Sequence, residues 1–219
     1  TRSSDLYARY QDTPYSLEPN CKESPGGLRD LQVIMWMARA AGFGSSWEQI
    51  AEAGLLTPAE ARDLNRAEQA FKRVRIELHL LVKRREDRLL FDVQNGLAEV
   101  YGFQSTEGRR ASEILMQRYY WAARLVTQLN TLLVQNIEER LIQVDQNDVR
   151  QIDAHYVARH NRLDIVDEHL FEKDPSQLLN VFLVMQQHPE VTELSGKALR
   201  AIWHARGLID SNFRSQEKN

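Results

Sequence analysis

The sequence predicts an all-α fold: a helical bundle with two long antiparallel helices, shorter flanking helices and at most one small β-hairpin near residues 154–166. Two apolar stripes and one strong start signal carry this expectation. From about Pro58 to Arg85, Leu64, Ala67, Phe71, Val74, Leu78 and Leu81 recur at alternating steps of three and four. That spacing lines one side of a helix and needs a partner. From about Arg109 to Leu141, Leu115, Tyr119, Ala122, Val126, Leu129, Leu133 and Ile137 make a second such stripe. Thr57-Pro58-Ala59-Glu60 places a capping hydroxyl, a proline and a third-position glutamate where a helix begins. Long helices with shorter ones beside them pack as a bundle.

The remaining elements follow in order. Residues 1–16 are polar with Tyr7, Tyr10 and Tyr15, a short helix or extended lead-in. A first helix runs from about Gly26 to Ala41, with Ser24 as N-cap and Pro25 at its first position, and stops at Gly42 and Gly44. A short helix Ser46–Ala53 ends at Gly54. Lys83-Arg84-Arg85 complements the dipole at the end of the first long helix. Asp92 caps a helix Val93–Tyr101 that closes on Gly102. Residues 143–151 are polar and read as a linker. Ala154–Val157 and Leu163–Val166 pair across His160-Asn161. Asp174-Pro175 opens a helix to Gln187 with Leu178, Leu179, Phe182 and Met185 inward, and His188-Pro189 breaks it. A last helix spans Thr192–Ala205, and the tail from Ser211 frays.

The chain has 219 residues, 42% of them apolar, enough for a sizeable core. A net charge of -3 argues against a dedicated nucleic-acid binder. One cysteine, Cys21, rules out an internal disulfide and a cysteine-based zinc site, and suits a reducing cytoplasm. No apolar run reaches membrane-spanning length. The first residue is Thr1, which suggests a piece of a longer protein.

Special backbone chemistry and functional side chains coincide only in Leu17-Glu18-Pro19-Asn20-Cys21-Lys22-Glu23-Ser24-Pro25-Gly26-Gly27-Leu28-Arg29-Asp30. Pro25, Gly26 and Gly27 form a turn feeding a helix. Free N–H groups at a helix start, beside a lysine and an arginine, can hold a phosphate. A capped helix start with a surface ion pair explains the same residues. None of the six histidines shows metal-binding spacing, and His79 reads as packed within its helix. There is no nucleophile elbow, Walker loop or dinucleotide fingerprint, so this chain supplies neither a catalytic set nor a metal site of its own.

That first block resembles the signature segment of bacterial PII uridylyltransferases, the bifunctional uridylyltransferase/uridylyl-removing enzymes. Leu78-His79-Leu80 followed by Asp87-Arg88-Leu89-Leu90-Phe91-Asp92-x-Gln94 is similar to a second family block, and Phe171-x-x-Asp174-Pro175-x-x-Leu178-Leu179 to a third. The resemblance implies a cytoplasmic nucleotidyltransferase that moves UMP from UTP to a tyrosine of the PII signal protein with Mg2+, and removes it by hydrolysis. The catalytic Asp-x-Asp core and the metal-binding His-Asp domain are not in this chain. It would be the helical segment between them: a lead-in over 1–25, the bundle over 26–142 and a smaller subdomain over 143–219. Lys22, Arg29 and Asp30 become nucleotide-proximal candidates, with Lys22 and Arg29 toward phosphates and Asp30 supporting a metal site or pairing with Arg29. Alone, the chain is expected to be inactive. A helical protein-interaction module, or the matching segment of a glutamine synthetase adenylyltransferase with its related Gly-Gly-Ile-Arg-Glu turn, is the alternative.

Overall fold

The computed structural model describes residues 16–141, 149–210 and 213. The chain forms two compact units, Thr1–Ile137 and Glu138–Asn219. The lead-in before Ser16, residues 143–148 of the expected linker 143–151 and all of the expected tail except residue 213 lie outside the described residues, while the last three linker residues, Val149–Gln151, form a strand.

The first unit is helical: α1 (Leu28–Ala40), α2 (Trp47–Glu52), α3 (Pro58–Val82), α4 (Phe91–Val100) and α5, which begins at Ala111 and runs to Leu141. The expected capping box at α3 forms. Thr57 Oγ1 accepts from the Glu60 N–H at 3.2 Å, and Glu60 Oε2 accepts from the Thr57 N–H at 2.7 Å. The helix ends where Lys83 turns left-handed at φ 53°. Its stripe is buried from Leu64 to Leu78, but Leu81 emerges toward solvent. On α5 the buried alanine is Ala123 rather than Ala122. Contacts between the long helices run in opposite order along them. Asn136 Nδ2 donates to the Leu55 carbonyl ahead of α3; Leu64 shares a small void with Val126 and Leu133; Phe71 meets the Tyr119 ring edge-on at 5.3 Å. The two stripes thus bury each other, at roughly 1.5–3 kcal/mol for each fully buried large side chain.

Two expected caps move. Helix α1 starts at Leu28 with Gly27 as N-cap, not at Ser24-Pro25, because the Ser24 hydroxyl accepts from the Asn20 N–H at 2.9 Å and Gly26 leaves the helical region at φ 76°. Helix α4 starts at Phe91, one residue before the expected cap Asp92; the Phe91 N–H donates instead to Glu18 Oε1 at 2.8 Å.

The second unit corrects the all-α expectation. The chain is mainly helical, but this unit holds a four-stranded mixed sheet in the order β1 (Val149–Gln151), β2 (Tyr156–Arg159), β3 (Arg162–Ile165) and β4 (Glu193–Leu194). The expected hairpin pairs Arg159 with Arg162 across His160-Asn161, where His160 takes φ 55°. Strand β1 adds antiparallel to β2, and β4 adds parallel to β3. These outer strands are two and three residues long, too short to show a period in sequence. Strand β4 also takes the first residues of the expected last helix, so α8 is Gly196–Ala205, capped by Ser195. Between the strands lie α6 (Leu170–Lys173) and α7 (Gln177–Gln187). Apolar residues surround α7, and the buried set is Leu178, Val181 and Val184, while Leu179 and Phe182 stay half exposed. Tyr156, Leu163, Ile165, Phe171 and Val181 anchor this unit's core.

Candidate functional site

The first two sequence blocks, some seventy residues apart in the chain, form one object. Residues 19–21 lie against 87–89 as a short antiparallel pair. The Cys21 N–H donates to the Asp87 carbonyl and the Leu89 N–H to the Pro19 carbonyl, both at 2.8 Å, around an Asn20–Arg88 bridge. Gln94, buried on α4, clamps both strands: its Nε2 donates to the Leu17 carbonyl at 3.0 Å and the Leu89 carbonyl at 2.8 Å. Asp87 is fixed from α3, with Arg75 Nε at 2.6 Å and His79 Nε2 at 3.2 Å from the same carboxylate oxygen. Burial works against the Asp87 charge, but these two partners outweigh it and hold the carboxyl below the usual range.

The turn itself is closed by its own polar groups. Asn20 Oδ1 accepts from the N–H groups of Lys22 and Glu23 at 3.0 and 2.8 Å. The N–H groups of Gly27, Leu28, Arg29 and Asp30 donate to the carbonyls of Ser24, Cys21, Lys22 and Gly27. The helix start therefore offers no free N–H groups at these positions, and an anion here must be held by side chains. Ser24, Pro25, Gly26, Gly27 and Leu28 are all buried. A Cβ on Gly26 would lie 2.1 Å from the Ala123 carbonyl oxygen, so the turn packs directly on the α5 backbone.

The expected site residues divide into two groups. Asp30 is buried, and its Oδ2 accepts from the Gly26 N–H at 2.7 Å. Lys22 and Arg29 meet at Glu23. Arg29 binds it with Nε and Nη2 at 3.2 and 2.8 Å, and Lys22 Nζ lies at 3.2 Å. Hydrogen bonds from Arg29, with Lys22 in support, hold the Glu23 carboxyl below its usual range, and Arg29 is held more firmly charged. These three side chains are only partly exposed at the outer edge of the turn.

The third block lies in the second unit. Phe171 is in the core, and Asp174 accepts from the Ser176 N–H and hydroxyl and from Gln177 Nε2. Ser176 foremost holds the Asp174 carboxyl below its usual range. These contacts cap α7 and point to no chemistry of their own.

Two grooves went unread in the sequence. One, of about 550 Å³, runs along α5 beside Leu17, Phe91, Gln94 and Trp121. The other, of about 450 Å³ in the second unit, carries Arg159, Arg162, Asp164, Ser195 and Lys197. There Asp164 accepts from the Ser195 hydroxyl at 2.7 Å and Arg159 Nε at 3.0 Å, Arg162 pairs with Glu193, and Lys197 donates to the Ile165 carbonyl. Both assemble residues from distant segments, which leaves no local signal. Among the described residues no group of three or more His, Cys, Asp or Glu converges, and Asp30 is committed to the turn. The described residues do not fit a magnesium site. No described helix is long and apolar enough to cross a membrane.

Comparison with known proteins bears on both units. A family model described as GlnD PII-uridylyltransferase matches residues 1–134, and one described as uridylyltransferase GlnD third domain matches 156–219. Curated relatives named bifunctional uridylyltransferase/uridylyl-removing enzyme include proteins from Bordetella parapertussis, 69% identical, and Ralstonia nicotianae, 50% identical. Each match runs over 213 residues, 97% of this chain. The protein of the same name from Cupriavidus pinatubonensis is 49% identical over the same span. The chain covers 24–25% of these relatives' own length. No solved structure matches it.

Proposed function

We propose a function from the premise that this chain belongs to the GlnD PII-uridylyltransferase family. The chain is the helical segment of a cytoplasmic bifunctional enzyme that transfers UMP from UTP to the PII signal protein and removes it again. Residues 1–25 lead in from a nucleotidyltransferase core, 26–142 form the associated helical domain, and 143–219 lead toward the hydrolytic domain. Magnesium is held elsewhere in the parent, since the described donors here do not fit the metal. This segment by itself transfers no UMP.

One observation supports this reading above the others: the two family blocks are knitted through backbone pairs and Gln94 into a single rigid edge. That edge presents Lys22, Glu23 and Arg29 outward while Asp30 stabilises the turn beneath them. Lys22 and Arg29, balanced on one carboxylate, are the nucleotide-proximal cations; Asp30 is a positioning residue acting through Gly26. A substrate phosphate can replace Glu23 as the partner of Arg29, because a guanidinium binds either anion with the same two-pronged geometry.

The test is Arg29→Ala and Arg29→Lys in the full-length enzyme. Uridylyl transfer falls about tenfold or more in Arg29→Ala, as for a lost charged contact of about 1.5–3 kcal/mol. Arg29→Lys, which loses the fork but keeps the charge, falls in between. Unchanged transfer in Arg29→Ala, with unchanged thermal stability, refutes the assignment.

A further inference from the structure

We propose that the groove bounded by Leu17, Phe91 and Trp121 is a docking surface for another part of the same polypeptide, outside these 219 residues. The docking segment carries an apolar side chain flanked by carboxylates. The inference rests on the reading that this chain is one segment of a longer enzyme.

Three large apolar side chains from three separate segments stand open in one place: Leu17 is 68% exposed, Phe91 56% and Trp121 63%. Single exposed apolar residues are ordinary, but a contiguous set lining a groove of about 550 Å³ marks a binding surface. Arg110 and Arg124 line the same groove, and neither guanidinium has a partner among the described residues. Glu113 also lines the groove, its carboxylate accepting from the Arg110 backbone N–H at 3.2 Å, so the charged lining is two cations to one anion. An exposed tryptophan sharing a groove with two unpaired arginines is the residue pattern of an interface anchor. Its charge calls for an acidic counterpart.

The occupant's source follows from length and position. The relatives are about four times as long as this chain, so most of such a polypeptide lies outside it. Tyr120, on the groove wall, donates its hydroxyl to the Ser16 carbonyl at 3.0 Å, and Leu17 is the next lining residue. A segment covalently attached to this chain meets the groove at higher effective concentration than a separate partner and needs little intrinsic affinity. The groove also borrows Leu17, Phe91 and Gln94 from the two family blocks, so docking here bears directly on the edge carrying Lys22 and Arg29.

Thiol footprinting tests this. Ser112→Cys puts a near-isosteric reporter on the groove wall, and Thr131→Cys a control on exposed α5 surface. Native Cys21 is silent, being fully buried with its thiol pushed up to about 12 by burial and the nearby Asp87 charge. Labelling with a maleimide is followed by peptide mass spectrometry in the 219-residue chain and in the full-length parent. The expected result is labelling at 112 about tenfold slower in the parent, as for a surface exposed only by local opening, with the rate at 131 unchanged. Adding Arg124→Glu to the parent restores most of the rate at 112. Four outcomes overturn the proposal: equal rates at 112 in both proteins, protection already present in the 219-residue chain, protection that needs added PII protein, or protection that grows with protein concentration. Uridylyl transfer is measured on the unmutated parent in parallel. An active parent with no protection at 112 removes this inference and leaves the functional reading standing.

Discussion

Replacing Gly26 with alanine separates two costs that the structure combines at one residue. The first is conformational. Gly26 sits at φ 76°, where an L side chain costs about 1–2 kcal/mol. The second is steric. The new Cβ would stand 2.1 Å from the Ala123 carbonyl oxygen and 2.7 Å from its carbon. Both are backbone atoms of α5 and cannot swing aside, so turn and helix must separate, at a typical overpacking cost of 1–3 kcal/mol. Together they come to about 2–5 kcal/mol, a large part of the 5–15 kcal/mol that stabilises a typical domain. The control is Gly42→Ala, at φ 77° with nothing within 4 Å of its Cβ, which carries the conformational cost alone. At about 2–4 °C per kcal/mol for a chain of this size, Gly26→Ala should melt several degrees below Gly42→Ala. Thermal unfolding followed by helical circular dichroism reads the difference. Equal melting temperatures for the two variants would refute the reasoning, since they would show that the turn does not bear on α5.

Two further perturbations probe the same edge. Asp30→Ala removes the acceptor of the buried Gly26 N–H and should cost about 1–3 kcal/mol, while Asp30→Asn keeps an oxygen there and should cost less; denaturant midpoints rank the two, and the reverse order contradicts the capping role. Asp87 gives a pH signature. Its folded carboxyl lies below the ordinary value near 3.9, so its contribution is complete above that value and is lost as pH falls through the depressed folded one. Asp87→Asn should therefore lower the urea midpoint at pH 7 and narrow its gap from the unmutated chain as pH drops toward 3; a gap constant with pH argues against the charge.

Signals that act within one helical turn were legible in the sequence. The Thr57–Glu60 box and most of the two long stripes depend on neighbours three or four residues away, and they formed as read, with Leu81 and Ala122 the stripe positions that did not bury. Misreadings occur where another partner redirects a local preference. Ser24 is a good cap by type, but a competing local turn takes its hydroxyl, which accepts from the Asn20 N–H. Asp92 is another, but Glu18 reaches the helix start from 73 residues away. Strands β1 and β4 exist because β2 and β3 offer them edges, not because their few residues favour extension. On α7, apolar residues on nearly every side left the buried face to be chosen by tertiary packing. The groove beside Trp121 was hidden for the same reason, being assembled from three segments that no local window joins.

The density of constraint in the first block explains why so long a motif can be specific without containing a catalytic group. Asn20, Ser24, Gly26 and Asp30 each satisfy or accommodate another part of the turn, and Glu18 and Gln94 fasten it to the second block. Changing Asn20, Ser24, Asp30 or Gln94 leaves a wholly or partly buried polar group unpaired, and a side chain at Gly26 is driven into α5. A structural demand of that kind restricts residue type as tightly as catalysis does. What it does not account for is the trio Lys22, Glu23 and Arg29, which closes no turn and caps no helix. Two cations held by one carboxylate at the edge of a rigid frame leave an excess positive charge that folding does not use. The surrounding frame fixes where that charge stands, and this is the ground on which Lys22 and Arg29 are proposed as the residues that act on a substrate.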